Sequence, residues 1–337
     1  MRRRGWTRSA LAAVAAVTLL AGCSSQDDVS RKPTREPATP AAAPTLAATP
    51  AGEVSPSTPI SALLVEPRSG VLAVLSADGK SLRLIDRGVT PAAERTVALP
   101  AAAAMLAPGE PGEILLPAPR RVLRVDAASG TVDEIAVDGD ARAVALRPEG
   151  GLAVGTADGR VLTLAADGTV DRTVTGLVSV DAVVAAGDDL LALDRRQTIV
   201  TELDLGDNRP GLTLRTGDGA TNMIGDHFGR VLVTDTAGNE LLVYTADPLV
   251  LHQRFPVGSS PYALAYDERS DTVWVTLTGT NEVVGYDVST GIPVEVGRFP
   301  TVRQPDTVTI DNRGDMFVGS ATGDGLQRIG ADQRKGQ

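Results

Sequence analysis

The sequence predicts an all-β protein, a seven-bladed β-propeller of four-stranded antiparallel blades, and two observations carry that expectation. Short apolar runs separated by Gly, Asn or Asp turns recur about every 40 residues. The runs are apolar over most of their length, as strands are when a sheet is covered on both faces. Small sheets repeated at such a period bury one another and close radially, which protects their edges.

First strands are read at Ala62–Val65, Ala143–Leu146, Ala182–Ala185, Ala263–Tyr266 and Thr307–Ile310. Second strands follow at Val71–Leu75, Leu152–Gly155, Leu190–Leu193, Val231–Val233, Val273–Val275 and Met316–Val318. Tight turns such as Asp78-Gly79, Asp158-Gly159, Gly238-Asn239 and Thr280-Asn281 then lead to third strands at Leu82–Ile85, Val161–Leu164, Leu241–Tyr244 and Val283–Tyr286. Fourth strands are expected at Thr96–Leu99, Val132–Val137, Val170–Val174, Leu212–Leu214 and Gln253–Val257. Units begin near Ser61, Ala102, Arg142, Asp181, Asn222, Tyr262 and Asp306, which gives the count of seven. The last unit, with strands near Thr307–Asp311, Asp315–Ser320 and Leu326–Ile329, lacks a fourth strand. The segment Gly52–Ser57 is expected to supply it as an outer edge, where its prolines are tolerated.

Outside the repeats the chain changes character. Residues 1–23 run from a basic head (Arg2 to Arg8) through an apolar stretch (Ala10 to Leu20) too short to span a bilayer, the pattern of a secretory leader. Residues 24–59 are rich in Pro, Ala, Thr and Ser and read as a tether, able when extended to reach ~100 Å. Part of it is expected to complete the last blade. The propeller is expected over residues 60–330, and residues 331–337 form a polar tail.

Composition narrows the partners. The hydrophobic fraction is 42% and the charged fraction 22%, the balance of a globular protein. The net charge is −10, and removal of a leader holding Arg2, Arg3, Arg4 and Arg8 makes the mature chain more acidic still. No Lys/Arg cluster follows the leader, which argues against nucleic acid. The single cysteine, Cys23, excludes an internal disulfide and any Cys-based zinc or iron–sulfur site.

Leu20-Ala21-Gly22-Cys23, placed after a basic head and an apolar run, resembles a bacterial lipobox. That resemblance implies lipidation of Cys23, loss of the leader, and a lipid-anchored protein on the extracytoplasmic face of the cell membrane. Pro261-Tyr262-Ala263-Leu264-Ala265-Tyr266-Asp267, Val273-Trp274-Val275, Asn281 through Asp287 and Thr290-Gly291 resemble YVTN and NHL-type propeller repeats. With the lipobox and the tether, the whole looks like the propeller lipoproteins of actinobacterial cell envelopes. Such repeats specify fold far better than function.

In a propeller the head of each inner strand faces the central channel. Aligning the units puts Arg142, Asp181, Asn222, Tyr262 and Asp306 at that mouth, beside Ser61 and Ala102. A small anionic or polyhydroxylated ligand would meet Arg142, Asn222 and Tyr262, with the two carboxylates accepting hydrogen bonds. Sugar-lactone hydrolases of the propeller class hold a divalent cation at such a mouth. Asp181, Asn222 and Asp306 offer three oxygens for one, but Arg142 opposes a cation and Ser61 stands where the first acidic ligand would be. No resident metal or other cofactor is expected. His227 and His252 lie on no metal-ligand spacing, and no Gly-x-Ser-x-Gly elbow occurs. Gly217-Asp218-Gly219 reads as a turn between units, and Tyr262, Tyr266, Trp274 and Tyr286 read as core or rim packing. The expected function is a membrane-held binding or scaffold module for an envelope protein or small ligand. The alternative is an enzyme, a metal-dependent lactonase or hydrolase or a quinone-dependent dehydrogenase, working at the channel mouth.

Overall fold

A computed structural model describes residues 32–335, and Cys23 with the leader lies outside them. A three-residue strand β1 (Glu53–Ser55) precedes the ring. The first sheet is β2 (Ile60–Val65), β3 (Leu72–Ser76), β4 (Ser81–Asp86) and β5 (Ala93–Ala98). Next come β6 (Ala107–Pro108), β7 (Glu113–Asp126), β8 (Val132–Leu146), β9 (Leu152–Thr156), β10 (Val161–Leu164) and β11 (Val170–Val174), joined in one six-stranded sheet. Three further sheets of four follow: β12 (Ala182–Ala186) to β15 (Arg209–Arg215), β16 (Ala220–Gly225) to β19 (Val250–Pro256), and β20 (Pro261–Asp267) to β23 (Val294–Pro300). Within them lie β13 (Asp189–Asp194), β14 (Ile199–Asp204), β17 (Arg230–Asp235), β18 (Glu240–Thr245), β21 (Thr272–Leu277) and β22 (Glu282–Asp287). The last sheet holds β24 (Pro305–Ile310), β25 (Met316–Ser320) and β26 (Leu326–Ile329), with β1 as its fourth strand.

All pairings are antiparallel, and the first strands pack on one another around an axis: β8 on β12, β12 on β16, β16 on β20, β20 on β24, and β24 on β2. The architecture is therefore an all-β propeller. Its described sheets number six, which corrects the expected seven blades. The cause is β8, a strand of 15 residues. Its first half pairs with β7 and its second with β9, so the stretch between Val137 and Arg142, expected to separate two units, carries the sheet straight through. Gly139 sits inside it at φ 120°, and an added Cβ would lie 2.8 Å from an Arg160 guanidinium nitrogen.

Apolar strand faces meet between neighbouring sheets. Leu191, Leu193 and Val200 pack with Val231, Val233 and Tyr244, and Leu232 and Val243 pack with Val273 and Val284. No sheet is a core by itself, since each interior is shared with the next. β1 closes the ring by pairing Glu53, Val54 and Ser55 with Arg328, Gln327 and Leu326. The buried Gln327 side chain reinforces the seam. Its Oε1 accepts from Val302 N (2.9 Å), and its Nε2 donates to Ala51 O (2.8 Å) and Pro300 O (3.0 Å).

At the end of the ring bearing the turns from first to second strands, the C-terminal tail is locked down. Buried Arg334 donates to Asp267 (2.8 Å) and to Gly314 O, and its guanidinium lies 5.0 Å from the Trp274 ring centroid. Beside it Asp311 and Asp315 receive Arg87, and Asp315 also receives Arg328 (2.8 Å). Among the described residues no helix is long and apolar enough to cross a membrane.

Candidate functional site at the channel mouth

The mouth lies at the other end, where loops join successive sheets. Its side chains are aimed by a recurring backbone device. Register shifts interrupt the inner strands between Ile60 and Ala62, Ala141 and Ala143, Ala220 and Asn222, Pro261 and Leu264, and Pro305 and Thr307. Such a bulge inserts an unpaired residue and turns its side chain off the pleat. Ser61, Arg142, Tyr262 and Asp306 are the residues it releases. Asn222 follows a bulged Thr221, and Asp181 stands just ahead of β12.

These residues do not form one cluster. Ser61, Tyr262 and Asp306 line a common cavity of about 220 Å³ with Ile60, Ala77 and Ala321. Asn222 joins them through its amide, which donates to Tyr262 O (3.0 Å). Across the opening, Arg142 reaches Asp140 (3.5 Å) and Asp181 (3.8 Å). With Arg142 half exposed, that pair contributes at most about 1 kcal/mol. Asp181 is held more firmly by Ser179 Oγ (2.7 Å) and by the backbone N–H of Arg195 (2.9 Å). Ala102 is exposed, in the loop ahead of β6.

Burial sets the electrostatics on the Tyr262 side. It pushes the Asp306 carboxyl above its ordinary value, opposed by the Gln304 amide donating to it (2.9 Å). It also raises the Tyr262 phenol, opposed by Arg195. As to a cation, Asp181 is engaged by Arg142, Ser179 and Arg195, and Asp306 by the Gln304 amide. Among the described residues no group of three or more His, Cys, Asp or Glu side chains is placed to hold a metal ion.

Sequence reasoning missed the loop residues that frame the mouth. Asp194 and Asp235, buried at the ends of β13 and β17, fix the loops that enter β12 and β16. Asp194 accepts from Val178 N and Ser179 N, and Asp235 from Asp218 N and Gly219 N. Ser260, Asn281 and Gln304 are nearly buried and hold φ of 55°, 55° and 53°. A left-handed backbone away from glycine costs on the order of 1 kcal/mol or more per residue, and such positions gather at working sites.

Their work is visible in the Pro-rich segment. Read from sequence as a tether, it lies as an irregular strap from Lys32 to Ala51 across this end of the ring. Lys32 donates to Gly176 O, and Arg35 N donates to Arg196 O (2.9 Å). Arg195 donates to Ala38 O (2.7 Å), Ala41 N to Ser260 Oγ (2.8 Å), and Asn281 to Pro44 O (3.0 Å). Gln304 grips two residues, receiving Ala43 N on Oε1 (2.8 Å) and giving Nε2 to Ala41 O (3.1 Å). Ala43 is buried, and an added Cβ on Gly219 would meet the Ala38 Cβ at 2.7 Å.

A larger groove of about 530 Å³ lies elsewhere, between Ser57–Ile60 and the first sheet, and its Arg83 is engaged by Glu94 (3.4 Å) and Ser57 (3.2 Å). The two histidines stand apart from the mouth. His227 is in the β16–β17 turn, 3.7 Å from Asp271, and His252 is exposed on β19.

No protein-family model matches the chain, and no curated protein matches it. Solved structures do. The virginiamycin B lyase of Staphylococcus aureus superposes with a TM-score of 0.67 at 12% identity, covering 80% of this chain and 94% of that one. A streptogramin B lyase gives 0.68 at 12%, covering 83% and 96%. The hydrazine synthase of Kuenenia stuttgartiensis gives 0.68 at 14%, covering 80% and 95%. At such identities the likeness is one of fold.

Proposed function

We propose that the chain is a lipoprotein anchored through Cys23 on the extracytoplasmic face of the membrane, and that its propeller is a binding platform for an envelope protein at the channel mouth. The cavity shared by Ser61, Tyr262 and Asp306 carries this reading. At about 220 Å³ it is smaller than the ~300–1,000 Å³ usual for small-molecule sites, and it suits a side chain inserted from a protein partner better than a metabolite. The lipid adds to the platform by raising the local concentration of membrane-held partners. An enzymatic reading draws no comparable support, because the polar groups of the mouth are engaged with one another and with the strap.

Anchoring bears on orientation as well. Cys23 and Lys32 are nine peptide steps apart, ~30 Å at full extension, so a docked strap keeps the mouth end of the ring near the bilayer. The test is palmitate labelling and membrane fractionation of the wild type and Cys23→Ser, followed by affinity capture from envelope extracts. Label and membrane retention are expected to vanish in Cys23→Ser, and wild type is expected to capture a stoichiometric protein that Tyr262→Ala loses. A soluble, unlabelled wild type removes the anchor, and capture of nothing removes the platform.

A further inference from the structure

The strap is recognised mainly through its backbone. Of the bonds that hold Ala38 to Pro44, each engages a main-chain N–H or C=O of the strap, and the ring supplies side chains from four loops: Arg195, Ser260, Asn281, and the neighbours Arg303 and Gln304. Gln304 takes the C=O of one residue and the N–H of the next but one, as a neighbouring β-strand would. Side-chain demands are few: a small residue at Ala43, which is buried, another at Ala38, against Gly219, and a basic one at Arg35, which donates to Asp218 O. Prolines at 37, 40 and 44 keep the peptide extended at little further entropic cost.

Two of the gripping side chains also reach the mouth. The Gln304 amide that donates to Ala41 O donates to Asp306 as well, and Arg195, which donates to Ala38 O, neighbours the Tyr262 phenol. Whatever occupies the groove therefore sets the polar partners of the mouth.

We propose that this groove is a recognition site for an extended, Ala/Pro-rich peptide, that residues 35–44 occupy it in cis, and that a partner protein carrying such a segment binds by displacing them. This deepens the platform reading by naming the partner's chemistry, and it does not depend on the lipid. The cis strap is tied to the ring through Ala51 and β1, so it competes at an effective concentration of about millimolar. A partner succeeds when it adds contacts of its own at the mouth.

The test uses the full chain and a labelled synthetic peptide of residues 33–46. In the wild type the Ala41 and Ala43 amides are expected to exchange slowly with deuterium, and the peptide to bind weakly. Ala43→Glu in the protein expels the cis strap and leaves the groove intact, so those amides become fast and the peptide binds at least ~10-fold tighter. Gln304→Leu added to that protein abolishes the gain. Ala43→Glu placed in the peptide instead abolishes it too, and this arm leaves the protein's folding untouched. Absence of binding to the strap-expelled protein overturns the proposal, as does fast exchange at Ala41 and Ala43 in the wild type. A wild-type dimer with exchanged straps assigns the groove to a second copy and overturns the partner. A membrane protein captured equally by wild type and Gln304→Leu leaves the platform standing and removes the groove.

Discussion

At the scale of residues, Asp306 is a side chain whose environment opposes its charge, since burial favours its neutral form. Its folded pKa lies above the unfolded one, so the folded chain binds the extra proton. The associated stability is full below the ordinary carboxylate value of 3.8 and is lost as pH rises through the raised value. Asp306→Asn keeps an acceptor for Gln304 without the charge. Its melting temperature is expected to match the wild type at about pH 3 and to exceed it increasingly toward about pH 6. A constant difference across that range would contradict the assignment. The bulged positions were legible in the sequence because Arg142, Tyr262 and Asp306 recur at one offset from their inner strands. Arg195, Asn281 and Gln304 were not, because they act from loops at differing offsets and meet only in space. A polar residue before proline at Ser260-Pro261 and Gln304-Pro305, each heading an inner strand, was the available signal.

At the scale of elements, β1 and the Gln327 side chain form the seam of the ring. Gln327→Ala would leave Val302 N–H and Ala51 O, both hydrogen-bonded now, without that partner. The expected cost is about 2–4 kcal/mol, or roughly 5–10 °C in melting temperature for a domain of this size. Deuterium uptake should rise first in residues 51–55 and 326–329, and uniform uptake around the ring would contradict the seam. Strand positions were readable because apolar runs alternate with turn residues throughout, and β26 falls where the pattern put it. The number of sheets was not. The polar, glycine-bearing stretch around Gly139 has a turn's composition, yet long-range pairing to both β7 and β9 holds it as strand. The long reach of the ring across sequence also hid the strap, whose prolines and alanines carry no strand or helix period.

For the whole molecule, acidity has a direction that follows from its carboxylates. Glu66, Asp78, Asp126, Asp158, Asp167, Asp287 and Asp315 are held below their ordinary values. For Asp315, burial is the largest influence and raises the pKa, but bonds from Arg328 and Ala331 N outweigh it. Groups lowered by folding stabilise above the unfolded pKa and lose that contribution as pH falls through the folded one. The melting temperature is therefore expected to drop as pH falls below about 4, and one that stays level to about pH 2 would show these bonds to be energetically idle. The strap carries a consequence of another kind. A pull on the amino end meets the strap's side-chain grips one after another, and only then β1. Each released grip frees a further length of chain from the ring, at most ~70 Å of contour for about twenty residues, before tension reaches the closing strand. The chain thus has a mechanical fuse in series with its seam, one that stretches and re-engages while the ring stays shut.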